Sequence, residues 1–160
     1  PVAVYASDVN GDGITELPRA VLMAGYKDTS SSDAVYMLDW YAYGIGKVPA
    51  KVATTYQNIS DAWSLLIDQK WHDRITAIKA NDGGLSYRKN KMSIPLFNIY
   101  CATGSNREYY AERTDLIQLG QTTQAIYFAK LTNEGEQSEL ALTGDEIKAR
   151  FSLVNQAWNN

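Results

Sequence analysis

The chain has one cysteine and one histidine among 160 residues, and each shortage removes a class of explanation. With Cys101 alone no internal disulfide can close, so a disulfide framework is excluded, although the compartment is left open. Structural zinc needs four nitrogen or sulfur ligands, and His72 with Cys101 falls short of that set. Basic charge is also scarce: 15 Lys and Arg stand against 18 Asp and Glu, a net charge of -3. Nucleic-acid binding depends on a basic patch that displaces phosphate counterions, so that class is disfavoured. The single basic run, Arg88, Lys89 and Lys91, reads as a solvated strand end. Nothing resembles a transmembrane helix or a signal peptide. The chain opens at Pro1 without Met, inside the apolar run Pro1–Ala6, and so reads as a piece of a longer polypeptide.

Catalytic signatures are missing too. There is no Gly-x-Ser-x-Gly elbow, phosphate-binding loop or dinucleotide fingerprint, and the glycines of Tyr43–Lys47 read as a turn. A Cys–His pair is arithmetically available, but Asp73 makes a poor orienter for His72 if both lie on a strand, where neighbours face opposite ways. Cys101, inside Phe97–Thr103, reads as a buried apolar thiol. Glu108, Glu112, Asp145 and Glu146 read as solvated helix faces and caps rather than a glycosidase pair. The expectation is a non-enzyme.

What is present is an ordinary folding composition, 45% hydrophobic and 21% charged, with eleven Tyr and four Trp. That excludes disorder and favours strands. The length suits one domain, or one domain plus a fragment, with a sizeable core. Strand signals fill the first two-thirds: Pro1–Ala6, Glu16–Tyr26, Ala34–Gln57 with a turn at Gly44–Pro49, then Trp71–Ala80 and Leu85–Ile94 around an Asp-Gly hairpin turn, then Pro95–Thr103. Ser and Asp cluster in Lys27–Asp33, a loop. One helix is expected over Asn106–Thr114 with Ser105 as N-cap. A second is expected over Thr143–Trp158, opening with a Thr143/Glu146 capping box and carrying Ile147, Phe151 and Val154 at helical spacing. A hairpin, Leu116–Gly120 with Thr123–Thr132, lies between them. The fold class is α+β: a mostly antiparallel, strand-rich sheet with two short helices in the C-terminal half.

In Trp40-Tyr41-Ala42-Tyr43, alternation puts Trp40 and Ala42 on one face and Tyr41 and Tyr43 on the other. Aromatic platforms can stack on sugars, but one core face and one face of cross-strand pairs is the plainer reading.

The richest stretch is Asp8-Val-Asn-Gly-Asp-Gly-Ile-Thr-Glu16. Calcium takes six to eight hard oxygens, and alternating positions of a tight loop can supply several. Counting from Asp8, Asn10 is third, Asp12 fifth, Ile14 offers its carbonyl at seventh, and Glu16 is ninth; Gly13 permits the sharp turn. An EF-hand would need a bidentate Glu at the twelfth position, which is Arg19 here, and dockerin modules use such half-loops in pairs. The alternative is a polar turn without metal.

With those residues in view, the loop resembles the strand-flanked calcium loop of FG-GAP or VCBS-type repeats in integrin-like β-propellers. The likeness covers Val2 to about Tyr26, dividing the chain into a strand-loop-strand unit, 1–26, and an α+β domain, 27–160. The remainder is similar to the C-terminal domain of uncharacterised secreted lipoproteins from clostridia-like bacteria. Asp8–Pro18, Tyr56–Lys79, and Ile99–Leu119 ahead of Glu146–Trp158 carry that similarity. It implies an extracellular or cell-envelope location, lipid anchoring through a segment upstream, and no assigned activity. The functional expectation is a non-catalytic, calcium-stabilised module that binds protein or polysaccharide. A hydrolase or hydrolase accessory domain, and a structural cap closing an upstream repeat array, stand as alternatives.

Overall fold

The computed structural model describes residues 4–30, 33–80 and 84–154. Ten strands form two antiparallel sheets of five. The first holds β1 (Leu17–Leu22), β2 (Tyr36–Ala42), β3 (Ala50–Asn58), β4 (Trp63–Leu66) and β10 (Phe151–Leu153), in that order. The second holds β5 (Thr76–Lys79), β6 (Leu85–Arg88), β7 (Pro95–Thr103), β9 (Ala125–Leu131) and β8 (Ile117–Gln121), in that order. Three short helices, α1 (Asn106–Ala111), α2 (Asn133–Glu136) and α3 (Gly144–Arg150), and a 3-10 turn at Gln69–Trp71 complete an α+β fold. Among the described residues, no helix is long and apolar enough to cross a membrane.

The inner faces of the sheets share one aromatic-rich core. Met37, Trp63, Leu65 and Phe151 of the first sheet cluster with Tyr87, Phe97, Ile99 and Tyr127 of the second. Trp63 stacks on Phe151 at 5.8 Å between ring centroids, and Tyr87 on Phe97 at 4.8 Å, within the range where aromatic pairs attract. Trp71 closes the core beneath the 3-10 turn and donates its indole N–H to the Leu140 carbonyl at 2.8 Å. α1 covers part of the outer face of the second sheet, where Tyr110 stacks on Phe128.

Pro18 is tolerated because β1 is an edge strand, where a missing N–H leaves no ladder bond broken. β1 pairs along its length with β2, so a strand from the 1–26 segment is built into a sheet whose other strands belong to 27–160. The turn after β2 falls where Gly44 and Pro49 place it, with the Lys47 amide on the Gly44 carbonyl. β5 and β6 form the expected hairpin, although residues 81–83 of its turn lie outside the described residues.

Several expectations need correction. Val4–Ala6 form no strand, and residues 1–3 fall outside the described set. Trp71–Ala80 is not one strand: it begins in the 3-10 turn, and β5 starts only at Thr76. Ser105 already has helical angles and makes no side-chain cap. The Thr143 capping box is present, but the helix it starts stops at Arg150. Phe151 turns extended, with φ -84° and ψ 137°, and β10 pairs with β4. Ile147 and Phe151 are both buried, as a helical stripe requires, yet Phe151 reaches the core by stacking on Trp63 from a strand. Residues 155–160 of that expected helix lie outside the described residues. α2 was not foreseen: Thr132 caps it through the Gly135 amide, and Gly135 lets it sit flush against β7.

Candidate metal centre

Ser7 and Glu16 exchange two backbone hydrogen bonds, at 3.1 and 2.9 Å, and so close the acidic loop at its base. Gly11 and Gly13 have φ of +76° and +83°, a region side chains resist, so the tight return needs glycine there. Asp8 organises the interior: Oδ1 accepts from the Gly11 and Asp12 amides at 2.7 and 3.2 Å, and Oδ2 from Gly13 at 2.9 Å. The Gly13 amide leads the groups holding the Asp8 carboxyl below its ordinary 3.8; desolvation opposes it, and the Gly11, Asp12 and Asn10 amides add to it.

The loop brings three carboxylates together. Asp8, Asp12 and Glu16 each offer one oxygen within 4.8 Å of the others. Asn10 is tied to Asp12 by its side-chain amide on Oδ2 at 2.9 Å, while its own Oδ1 accepts the Asp12 amide at 3.0 Å. Ile14 donates its backbone amide to Asp12 Oδ1 at 2.8 Å. Of the five residues chosen by spacing, Asp8, Asp12 and Glu16 therefore converge through carboxylates, and Asn10 and Ile14 brace Asp12.

Glu16 is the unusual member. It is 0% exposed, whereas Asp8 and Asp12 lie at the surface. Its Oε2 accepts the Val9 amide at 3.0 Å, but its buried Oε1 has no hydrogen-bond partner. A buried carboxylate oxygen without a donor is costly, and two further carboxylates beside it add repulsion. A hard cation answers both, since it takes oxygen ligands and offsets the charge. The donor set, all oxygen and with neither imidazole nor thiolate, suits calcium better than zinc.

The other polar sites behave differently. His72 ends the 3-10 turn, and its Nδ1 lies 3.0 Å from Asp73 Oδ2. Asp73 thus does reach the imidazole, contrary to expectation, because the chain turns here, with Asp73 at φ +59°, instead of running as a strand. His72 Nε2 lies 3.4 Å from Lys51 Nζ, and Lys51 also pairs with the buried Asp39 carboxylate at 3.3 Å. Cys101 lies elsewhere, on β7 in a 400 Å³ depression with Asp61 and Tyr127. Burial, reinforced by the Asp61 charge, pushes its thiol up, away from the thiolate a nucleophile needs. The imidazole and the thiol have separate partners.

For Trp40 the sequence offers an aromatic platform or a core face. It is buried, 1% exposed, with its indole N–H on Thr55 Oγ1 at 2.8 Å. Yet it sits opposite Pro18, on the outer face of the first sheet, because Val21 and Met37 define the inner face three positions away. There it lines a groove of about 850 Å³ together with Val4–Val9 and with Ala149, Arg150 and Ser152–Val154. The acidic loop and this groove share Asp8 and Val9. Spacing alone could not reveal the groove, because its walls come from opposite ends of the chain.

No family model, no curated protein and no solved structure matches this chain.

Proposed function

We propose that the chain is a non-catalytic, calcium-stabilised module of a secreted or cell-envelope protein that binds protein or polysaccharide. The observation that carries the metal is the buried, unpartnered Glu16 Oε1 beside the Asp8 and Asp12 carboxylates. Asp8, Asp12 and Glu16 would hold the cation, with Asn10 and the Ile14 carbonyl as the further donors that the loop spacing provides. Bound calcium would rigidify the loop and perform no chemistry. The groove beside it supports the binding part: it offers a concave surface between two chain segments, the usual setting for a ligand. The Cys101 thiol, pushed up by burial and set among partners other than those of His72, favours a binding role over covalent catalysis. Envelope location and lipid anchoring rest on the likeness to secreted lipoproteins.

The test is a thermal melt in EDTA and again in excess calcium. Binding to the native state alone adds RT ln(1 + [L]/Kd), about 2.7 kcal/mol at about a hundredfold excess over Kd. For a domain of this size that raises Tm by about 8 °C. An unchanged Tm removes the metal from the reading. A glycan and peptide array probed in calcium then tests the ligand class, and silence on both removes the binding role.

A further inference from the structure

The segment before the metal loop does more than lead into it. Trp40 is buried although it lies on the outer face of an edge pair, where Leu22 and Tyr36, further along the same face, are each 40% exposed. Val4–Val9 line the same groove as Trp40. Among the described residues, three hydrogen bonds fasten this segment, and all three end on Glu16: Ser7 N–H to the Glu16 carbonyl, Glu16 N–H to the Ser7 carbonyl, and Val9 N–H to Oε2. Glu16 is therefore both the anchor of the segment and the carboxylate whose second oxygen lacks a partner.

These two roles are coupled. Resting on the metal reading above, we propose that the acidic loop is a divalent-cation latch: a bound hard cation holds Val4–Val9 over Trp40 and keeps that side of the groove closed. With the cation gone, three carboxylates within 4.8 Å repel, and the buried Glu16 oxygen gains by reaching water. Moving the Glu16 side chain outward breaks its bond to the Val9 amide and leaves the segment tied only by the two backbone bonds to Ser7, so that it can lift and open the Trp40 side of the groove. Access to the groove then follows the calcium concentration.

The experiment titrates calcium chloride into metal-stripped protein and reads three signals. Calorimetry reports binding. Hydrogen exchange follows the amides of Ser7, Val9 and Glu16 against those of β7 and β9. Acrylamide quenching follows tryptophan fluorescence, with Trp40→Phe identifying the Trp40 share. The expected result is single-site binding, exchange slowed about tenfold at Ser7, Val9 and Glu16 with little change in β7 and β9, and a clear fall in Trp40 quenching. Asp12→Asn, at an exposed position, should lose binding and both local responses while staying folded. Binding with unchanged local exchange and quenching overturns the latch and leaves the metal site standing. Slowing spread equally over β7 and β9 also overturns it, since the cation would then stabilise the whole fold. No heat of binding and no response of any amide overturns the metal reading and the latch with it.

Discussion

Replacing Glu16 by Gln separates a metal ligand from an ordinary buried acid, because the two roles predict opposite signs. In metal-free protein the Glu16 carboxylate is fully buried, has one oxygen on the Val9 amide and the other without a donor, and lies within 4.8 Å of two further carboxylates. An unpartnered buried charged oxygen, at about 1 to 3 kcal/mol, and the repulsion of the two neighbouring carboxylates weigh against the folded state. Gln keeps an oxygen for Val9, removes the charge, and turns the orphan acceptor into an amide able to donate to Asp8 or Asp12. Relaxation absorbs part of the gain, leaving a net stabilisation of about 2 kcal/mol, or about 6 °C in Tm for a domain of this size. In calcium the order reverses. The parent gains about 4 kcal/mol at about a thousandfold excess over Kd, whereas the variant, short of a charged ligand, gains little. Melts of both proteins in EDTA and in calcium should therefore cross. Glu108→Gln, an exposed change on α1, is the control and should show neither effect. A variant less stable than the parent in EDTA, or one that keeps the full calcium response, would refute the reasoning: Glu16 would then be a structural carboxylate.

Two further outcomes follow from the fold. Gly135→Ala should destabilise by about 3 kcal/mol, read from urea unfolding, because its Cβ would fall 1.8 Å from the Leu96 carbonyl oxygen, and backbone cannot give way as a side-chain tip can; a cost below about 1 kcal/mol would mean that α2 shifts freely off β7. At Asp68, desolvation pushes the carboxyl up, but the Lys70 amide and the Arg150 guanidinium outweigh it and hold it below the ordinary 3.8. A depressed folded value means that the stabilisation is present above the unfolded pKa and is lost as pH falls through the folded one. The stability gap between parent and Asp68→Asn should thus be constant near neutrality and close in acid; a gap still intact at about pH 2 would assign it to something other than the charge.

The strands were legible where alternation met a turn signal. β2 and β3 break at Gly44–Pro49, and β8 and β9 form the hairpin that their apolar runs suggest. That there are two sheets rather than one was not legible, because facing sheets and one continuous sheet carry the same alternation. The C-terminal turn back was hidden for a related reason. Ile147 and Phe151, four apart, satisfy a helical stripe, and only the pairing of Phe151 with Leu65, distant in sequence, moves the second of them into a strand. At Trp71–Arg74 the ambiguity was local: Asp68 caps a 3-10 turn through the Lys70 amide, and apolar residues around a polar pair look the same in a turn as in a strand.

The acidic loop was legible in its spacing because its geometry is local. Asp8, Asn10 and Asp12 bond to amides two to five residues away, and Gly11 and Gly13 supply the angles, so the sequence contains every part. What spacing cannot show is that Glu16 is buried while its partners are exposed. That difference arises because Glu16, two positions before Pro18, follows the strand alternation onto the Trp40 side of the sheet. Burial there turns a run of acidic residues, common on solvated turns, into one carboxylate that lacks a donor. Removing the Trp40 side chain should then relax the loop as well. In Trp40→Ala, water reaches Glu16, the metal-free penalty shrinks, and the gain from calcium falls with it. If the calcium response of Trp40→Ala equals the parent's, burial of Glu16 does not set the metal's effect, and the link between loop and groove fails.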